Sequence, residues 1–182
     1  KYGDYLGWST SLSGNGLKLA IGAYANDGNG ERSGNVRVFQ LIGTVWSQIG
    51  EDIEGEMSGD YSGNSVSLNN DGSIVAIGAY YNDGNGSNSG HVRVYKYANN
   101  SWTQLGADIN GEAATDYLGN SVSLSSDGTK LAIGARLNDV NGNNRGHVRV
   151  YSYANNSWTQ LGNDIDGEAA ADQSGYSVSL SS

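Results

Sequence analysis

Short apolar runs alternate with polar turns along the whole 182-residue chain. The stretch NSVSL, Asn64–Leu68, alternates apolar and polar positions, the period of a half-buried strand. IVAIGA, Ile74–Ala79, is nearly all apolar and ends in small residues, which suits a strand covered on both faces. HVRVYKY, His91–Tyr97, alternates again, with Val92 and Val94 on one face, and SWTQLG, Ser101–Gly106, predicts a shorter fourth strand carrying Trp102. Asp71-Gly72 joins the first two runs, and Asp-Gly is a strong hairpin signal because Gly tolerates positive φ. The Asx- and Gly-rich loop Asn82–Gly90 and the turn Asn99–Ser101 supply the other connections. No stretch offers helical periodicity.

The same order of runs returns at a fixed step. Asp4, Asp60, Asp116 and Asp172 lie 56 residues apart, as do Gly7, Gly63, Gly119 and Gly175, and Trp46, Trp102 and Trp158. A period of this size marks a solenoid, propeller or array, in which each unit is one block that cannot bury its apolar face alone. Four short antiparallel strands per unit predict an all-β protein of β-propeller-type blades. A β-helix would need shorter repeats, and a sandwich would not repeat so strictly. The expected division is residues 1–58 for the first and most divergent blade, 59–114 for the second, 115–170 for the third, and 171–182 for the first strand of a fourth repeat. The small residues of AIGA are expected on a crowded inner strand beside the central axis.

Composition narrows the function classes. With 28 Gly and no Pro or Cys, the chain has the profile of a turn-rich β protein without disulfides, Cys-ligated zinc or thiol chemistry. A net charge of -9 repels nucleic acid and anionic lipid, so neither is an expected partner, and it leaves cations and neutral sugars open as ligands. No apolar run of about eighteen residues predicts a membrane helix. No signal peptide opens the chain, and its first residue is Lys1 rather than Met, which suggests a processed form or a piece of something longer.

The unit resembles the FG-GAP repeat, the blade of integrin α-subunit propellers and of many surface proteins. LGNSVS at Leu118–Ser123 stands where that family has its Phe-Gly strand, and AIGA at Ala20–Ala23, Ala76–Ala79 and Ala132–Ala135 stands for Gly-Ala-Pro. The resemblance spans essentially the whole chain and implies an extracellular or cell-surface location. Tyr24, Tyr80 and Arg136 replace the proline. The family's Asp-rich calcium loop does not carry over, because the connection in that place is only a short SGNG, NNDG or SSDG.

Closed propellers need at least about four blades. Three blades would leave two open sheet edges, so further copies of the repeat are expected as partners, in the same chain or in a homo-oligomer.

Several residue sets recur with the blades. The loops Asn26–Gly30, Asn82–Gly86 and Asn138–Gly142 are oxygen-rich; Asn26, Asp27, Asn29, Asn82, Asp83, Asn85, Asn138, Asp139 and Asn141 could form weak Ca²⁺ sites. Each copy has one carboxylate, and the competing reading is a turn that uses Asx and Gly for backbone reasons. A second acidic series, Asp52/Glu56/Asp60 with its equivalents, reads as a solvated rim or a cation bridge between blades. Within it, Asp60 and its equivalents are expected to accept backbone N–H groups in a tight corner. Trp46, Trp102 and Trp158 are either sugar platforms or packing residues between blades. His91 and His147 occupy equivalent positions on separate blades, so they build no asymmetric catalytic constellation. Asn85, Asn99 and Asn155 head glycosylation sequons in expected turns.

These features predict a non-enzymatic extracellular structural or adhesive module, part of a larger propeller, array or fibre. No cofactor is required by this reading, Ca²⁺ is the one candidate ion, and the expected partners are further repeats, with glycans or surface proteins as candidates. The alternative is a carbohydrate-binding, lectin-like propeller, which would need the Trp positions or Tyr24 and Tyr80 exposed with polar neighbours.

Overall fold

The computed structural model describes residues 3–139 and 143–181. It is all-β, and among the described residues the strands form three antiparallel sheets, one per repeat. The first sheet holds β1 (Ser9–Leu12), β2 (Lys18–Ala23), β3 (Asn35–Ile42), β4 (Val45–Gln48) and β5 (Ile53–Glu54). The second holds β6 (Ser65–Leu68), β7 (Ile74–Ala79), β8 (His91–Ala98), β9 (Ser101–Gln104) and β10 (Ile109–Asn110). The third holds β11 (Leu118–Leu124), β12 (Lys130–Ala135), β13 (His147–Ala154), β14 (Ser157–Gln160) and β15 (Ile165–Asp166).

Each sheet is four lanes wide, as expected, but its outer lane is split. Both β4 and β5 pair with β3. From Gln48↔Phe39 to Ile53↔Val36 the outer strand advances five residues (53−48) while β3 advances three (39−36), so two residues bulge out. The bulge places Asp52 where Gln48 Nε2 donates to its Oδ1 at 2.7 Å and Arg37 Nε donates to its Oδ2 at 2.8 Å.

Local chemistry fixes the turns. Asp127 Oδ1 accepts the Thr129 N–H at 2.9 Å, which helps hold this carboxyl down at a pKa of about 2, while Gly128 takes φ +72°. Asn99 and Asn100 have φ of 52° and 63°, the two positive angles that a type I′ hairpin between β8 and β9 needs.

The core lies in the seams between sheets. Val36, Val38 and Ile53 of the first blade bury against Leu68, Val75, Ile77 and Tyr95 of the second, with Trp102 packed alongside. Val92, Val94 and Ile109 repeat the arrangement against Leu124, Leu131, Ile133 and Tyr151 of the third. The first strands also pack on one another: Ser11 Oγ accepts the Leu68 N–H and Ser67 Oγ accepts the Leu124 N–H, each at 2.9 Å.

The AIGA strand does not occupy the position expected of it. β2, β7 and β12 are the second lane, and the edge lane is the first strand, β1, β6 or β11. The small residues serve the seam: a Cβ on Gly22 or Gly78 would overlap the carbonyl oxygen of Gly63 or Gly119 on the next blade.

Candidate functional site

Three repeated groups of polar and aromatic residues stand out, each made where one blade meets the next. The first is the acidic series. Glu56 reaches across the seam to Arg93, with Oε1 at 3.5 Å from Nη1, and Glu112 reaches Arg149 at 2.5 Å. Asp164 accepts from Arg149 Nε at 2.9 Å and Nη2 at 2.7 Å, a paired contact that holds its carboxyl below the usual range. The series is therefore not simply a solvated rim. Across these seams the glutamates meet an arginine guanidinium. Glu56, His91 and Asp108 converge, as do Glu112, His147 and Asp164, with ligand atoms within 4.8 Å of one another. Both histidines are buried, and burial lowers the His91 pKa to about 4 and lowers that of His147 as well. The Arg93 and Arg149 guanidiniums beside these neutral imidazoles already supply the positive charge that a divalent ion would bring.

The second group is the corner. Asp60 Oδ2 accepts the Met57 N–H at 3.0 Å and Asp116 Oδ2 accepts the Ala113 N–H at 2.9 Å, as expected of this recurrent Asp. Asn82 Nδ2 also donates to Asp60 at 3.1 Å, and Asn26 Nδ2 donates to Asp4 at 2.9 Å. The oxygen-rich loops are thereby tied to the corners. Asn26 Oδ1 and Asn82 Oδ1 accept the N–H groups of Gly28 and Gly84, both at 2.8 Å. Asp27, Asp83 and Asp139 accept the N–H groups of Arg32, Asn88 and Asn144. Asn29 Nδ2 and Asn85 Nδ2 donate to the carbonyls of Gly55 and Gly111. Asn138 is buried, and Asn141 lies outside the described residues. The first two loops close on themselves as Asx turns, so ligation of Ca²⁺ there would have to compete with these bonds. Among the sequons, Asn99 and Asn155 stand exposed in hairpin turns, whereas the Asn85 amide nitrogen is already engaged.

The third group is a tyrosine ladder that joins Tyr24 and Tyr80 to residues the repeat pattern alone does not single out. Tyr5, Tyr61 and Tyr117 follow the corner aspartates and adopt φ of 54°, 55° and 57°, a left-handed conformation rare for aromatic residues. It turns their rings onto one face, where they join Tyr24, Tyr80 and Tyr81 in a ladder. Centroids are 5.3 Å apart for Tyr5–Tyr24, 5.5 Å for Tyr24–Tyr61, 5.0 Å for Tyr61–Tyr81 and 5.2 Å for Tyr81–Tyr117. Burial within the ladder pushes the Tyr80 phenol up. At its first-blade end the ladder opens into a cleft of about 380 Å³ lined by Asp4, Tyr5, Tyr24, Asp27, Arg32 and Tyr61. Arg32 Nη1 donates to the Tyr61 hydroxyl at 3.1 Å. The signal in the sequence is the Asp-Tyr pair recurring at the blade period, together with tyrosine in place of the family's proline.

The tryptophans are seam residues. Trp102 Nε1 donates to the Ile49 carbonyl at 3.0 Å and Trp158 Nε1 to the Leu105 carbonyl at 2.8 Å, each reaching back to the previous blade. Trp46, with no blade before it in this structure, is exposed.

Sheets of one repeat each, packed face to face through identical seams, define a tandem β-propeller-type protein. The chain belongs to the FG-GAP repeat family, whose model matches residues 1–39, 54–95 and 110–151. Among curated proteins, none matches it significantly in sequence. Solved structures share its fold at low identity. A proposed 6-phosphogluconolactonase from Bacteroides uniformis is 14% identical with a TM-score of 0.58, over 86% of this chain and 40% of that one. Sqt1 from Saccharomyces cerevisiae is 15% identical with a TM-score of 0.58, over 94% and 37%. U3-55K is 11% identical with a TM-score of 0.51, over 88% and 40%. The chain thus spans about 40% of the length of these structures.

Proposed function

We propose that the chain is a non-enzymatic structural and adhesive repeat module acting outside the cell, as part of a larger propeller, array or fibre. The observation that supports this reading is repetition: the ion pairs, corner bonds and tryptophan contacts recur at the blade period. A catalytic centre is usually one asymmetric constellation, whereas repeated weak contacts give binding strength through avidity. The partners are further copies of the repeat and glycans or proteins of a surface. A net charge of -9 disfavours nucleic acid, and among the described residues no helix is long and apolar enough to cross a membrane. The test is twofold. Beads coated with the protein should adhere to cells or matrix with a steep dependence on coating density, and the protein should leave lactone hydrolysis at its uncatalysed rate. Lactone turnover, or no adhesion at any density, overturns the reading.

A carbohydrate-binding role is the second reading, and the cleft at Tyr5, Tyr24 and Arg32 favours it. Aromatic faces beside carboxylate and guanidinium groups suit a sugar ring with its hydroxyls. A glycan panel read by tyrosine and tryptophan fluorescence should then find a ligand lost in Tyr24→Ala and Arg32→Ala.

A further inference from the structure

Positions 56 residues apart are equivalent, so each blade can be compared with the next. Tyr81 of the second blade has Ala25 as its counterpart in the first and Leu137 in the third. The Tyr81 ring stands between the corner tyrosines of neighbouring blades, with centroids 5.0 Å from Tyr61 and 5.2 Å from Tyr117, and it meets Tyr80 edge-on at 4.3 Å. In the first seam the matching flanks are Tyr5 and Tyr61, which lie 5.3 Å and 5.5 Å from Tyr24. Ala25 is 8% exposed and sends no ring between them. The cleft of about 380 Å³ lies in this place, with Ala25 in its lining. Its cause is one small side chain within the first blade, where that blade meets the second.

Two further departures line the same cleft. Arg32 stands where the other blades have Asn88 and Asn144. All three share a left-handed φ, 53°, 55° and 52°, so the backbone places them alike. Arg32 Nη1 donates to the Tyr61 hydroxyl at 3.1 Å, which holds the guanidinium across the seam and leaves the rest of its N–H fork to a ligand. Glu31, a serine or an asparagine in the other blades, adds an exposed carboxylate. Asp27 Oδ1 accepts the Arg32 N–H at 3.0 Å and fixes this wall. Among the described residues no other blade combines a small side chain in the place of the Tyr81 ring with a guanidinium in the place of Arg32.

We propose that this cleft binds one neutral pyranose ring, and that Ala25 is the residue that opens it. This deepens the carbohydrate reading and rests on it. Tyr81 shows what the place accommodates: a six-membered ring seated between two tyrosines with a third at its edge. A pyranose has that size and lays its C–H groups on aromatic faces. Its hydroxyls both donate and accept, which matches a wall that sets Arg32 beside Asp27 and Glu31. A uronic acid would bring negative charge against these carboxylates, and an amino sugar would bring positive charge against the guanidinium. A neutral ring leaves neither group facing a like charge.

The test is saturation-transfer NMR and calorimetry with the methyl glycosides of glucose, galactose and mannose, beside glucuronic acid and glucosamine. A neutral glycoside is expected to bind at one site per chain in the millimolar range, as suits a single ring in an open cleft. Ala25→Tyr should abolish this binding and keep the fold by circular dichroism, since the equivalent ring of Tyr81 is already packed one blade on. Tyr81→Ala/Ser87→Glu/Asn88→Arg copies the first blade's residues into the second and should raise the stoichiometry from one site to two. Binding that survives Ala25→Tyr, or a stoichiometry that stays at one in the triple variant, overturns the proposal and leaves the carbohydrate reading standing. Tighter binding of glucuronic acid or glucosamine than of every neutral glycoside overturns the choice of a neutral ring. No binding by any of these sugars overturns the proposal, and the wider glycan panel then decides whether the carbohydrate reading falls with it.

Discussion

The indole N–H of Trp102 donates to the carbonyl of Ile49 at 3.0 Å across the first seam, and its ring covers Gly50. The same pair recurs as Trp158 and Leu105 over Gly106. A Cβ on Gly106 would lie 2.9 Å from Trp158 Cδ1, while one on Gly162 would meet nothing, and both glycines have positive φ. Gly162→Ala therefore carries the backbone strain alone, about 1 kcal/mol. Gly106→Ala should cost about 1–3 kcal/mol more, because it also pushes the indole out of the seam. Urea unfolding of the two variants as monomers checks this, and equal losses would mean that the indole simply moves aside.

The bond between Asp60 and Asn82 ties the inter-blade corner to the Asx loop. Both side chains are buried, so removing one leaves the other unsatisfied. Asp60→Ala and Asn82→Ala should each cost about 2–3 kcal/mol, and the double variant distinctly less than their sum. A double-mutant cycle by chemical denaturation reads the coupling, and strict additivity would show that the two side chains act independently.

Strand order, blade period and turns were legible because each rests on local chemistry: alternation in HVRVY, Asp-Gly at Asp71-Gly72, paired asparagines at Asn99 and Asn100. The roles of Gly78 and Ser67 were not legible. The first is small because the next blade's Gly119 carbonyl approaches it, and the second is polar because it accepts the N–H of Leu124. Both reasons lie 41 and 57 residues away in sequence (119−78, 124−67) and depend on how blades stack. Trp102 offered two readings, platform or packing, that only its neighbours could separate. The tyrosine ladder was hidden for another reason: positive φ at Tyr61 contradicts residue preference, so no propensity argument would have turned that ring toward Tyr24.

The oxygen-rich loops give a prediction about calcium. Asp83 Oδ1 accepts the Asn88 N–H at 2.7 Å, and Asn82 Oδ1 accepts the Gly84 N–H at 2.8 Å. With these oxygens spent on turn geometry, Asp83→Ala should cost about 1 kcal/mol to the same extent with and without calcium. Thermal melts in chelator and in millimolar Ca²⁺ check it. A calcium-dependent rise in melting temperature that Asp83→Ala and Asp27→Ala abolish would instead assign the loops as metal sites.

Acid should loosen the seams through the histidines. His91 is buried beside Glu56, Arg93 and Asp108, and burial lowers its pKa from 6.5 to about 4. The unfolded chain then binds a proton at higher pH than the folded one. The stabilisation is complete above pH 6.5 and is lost as pH falls toward 4, on the order of 3 kcal/mol for this residue. His147, lowered by the same cause, adds to the loss in the same direction. Asn35 fills the equivalent position of the first blade, where its Nδ2 donates to Asp52 at 3.0 Å, so asparagine is compatible with the site. His91→Asn/His147→Asn should therefore flatten the fall in unfolding free energy between pH 6.5 and 4 while leaving the carboxylate-driven loss at lower pH. An unchanged profile in this variant would show that the imidazoles take up protons in the folded chain as readily as in the unfolded one, and that burial beside Arg93 and Arg149 does not keep them neutral.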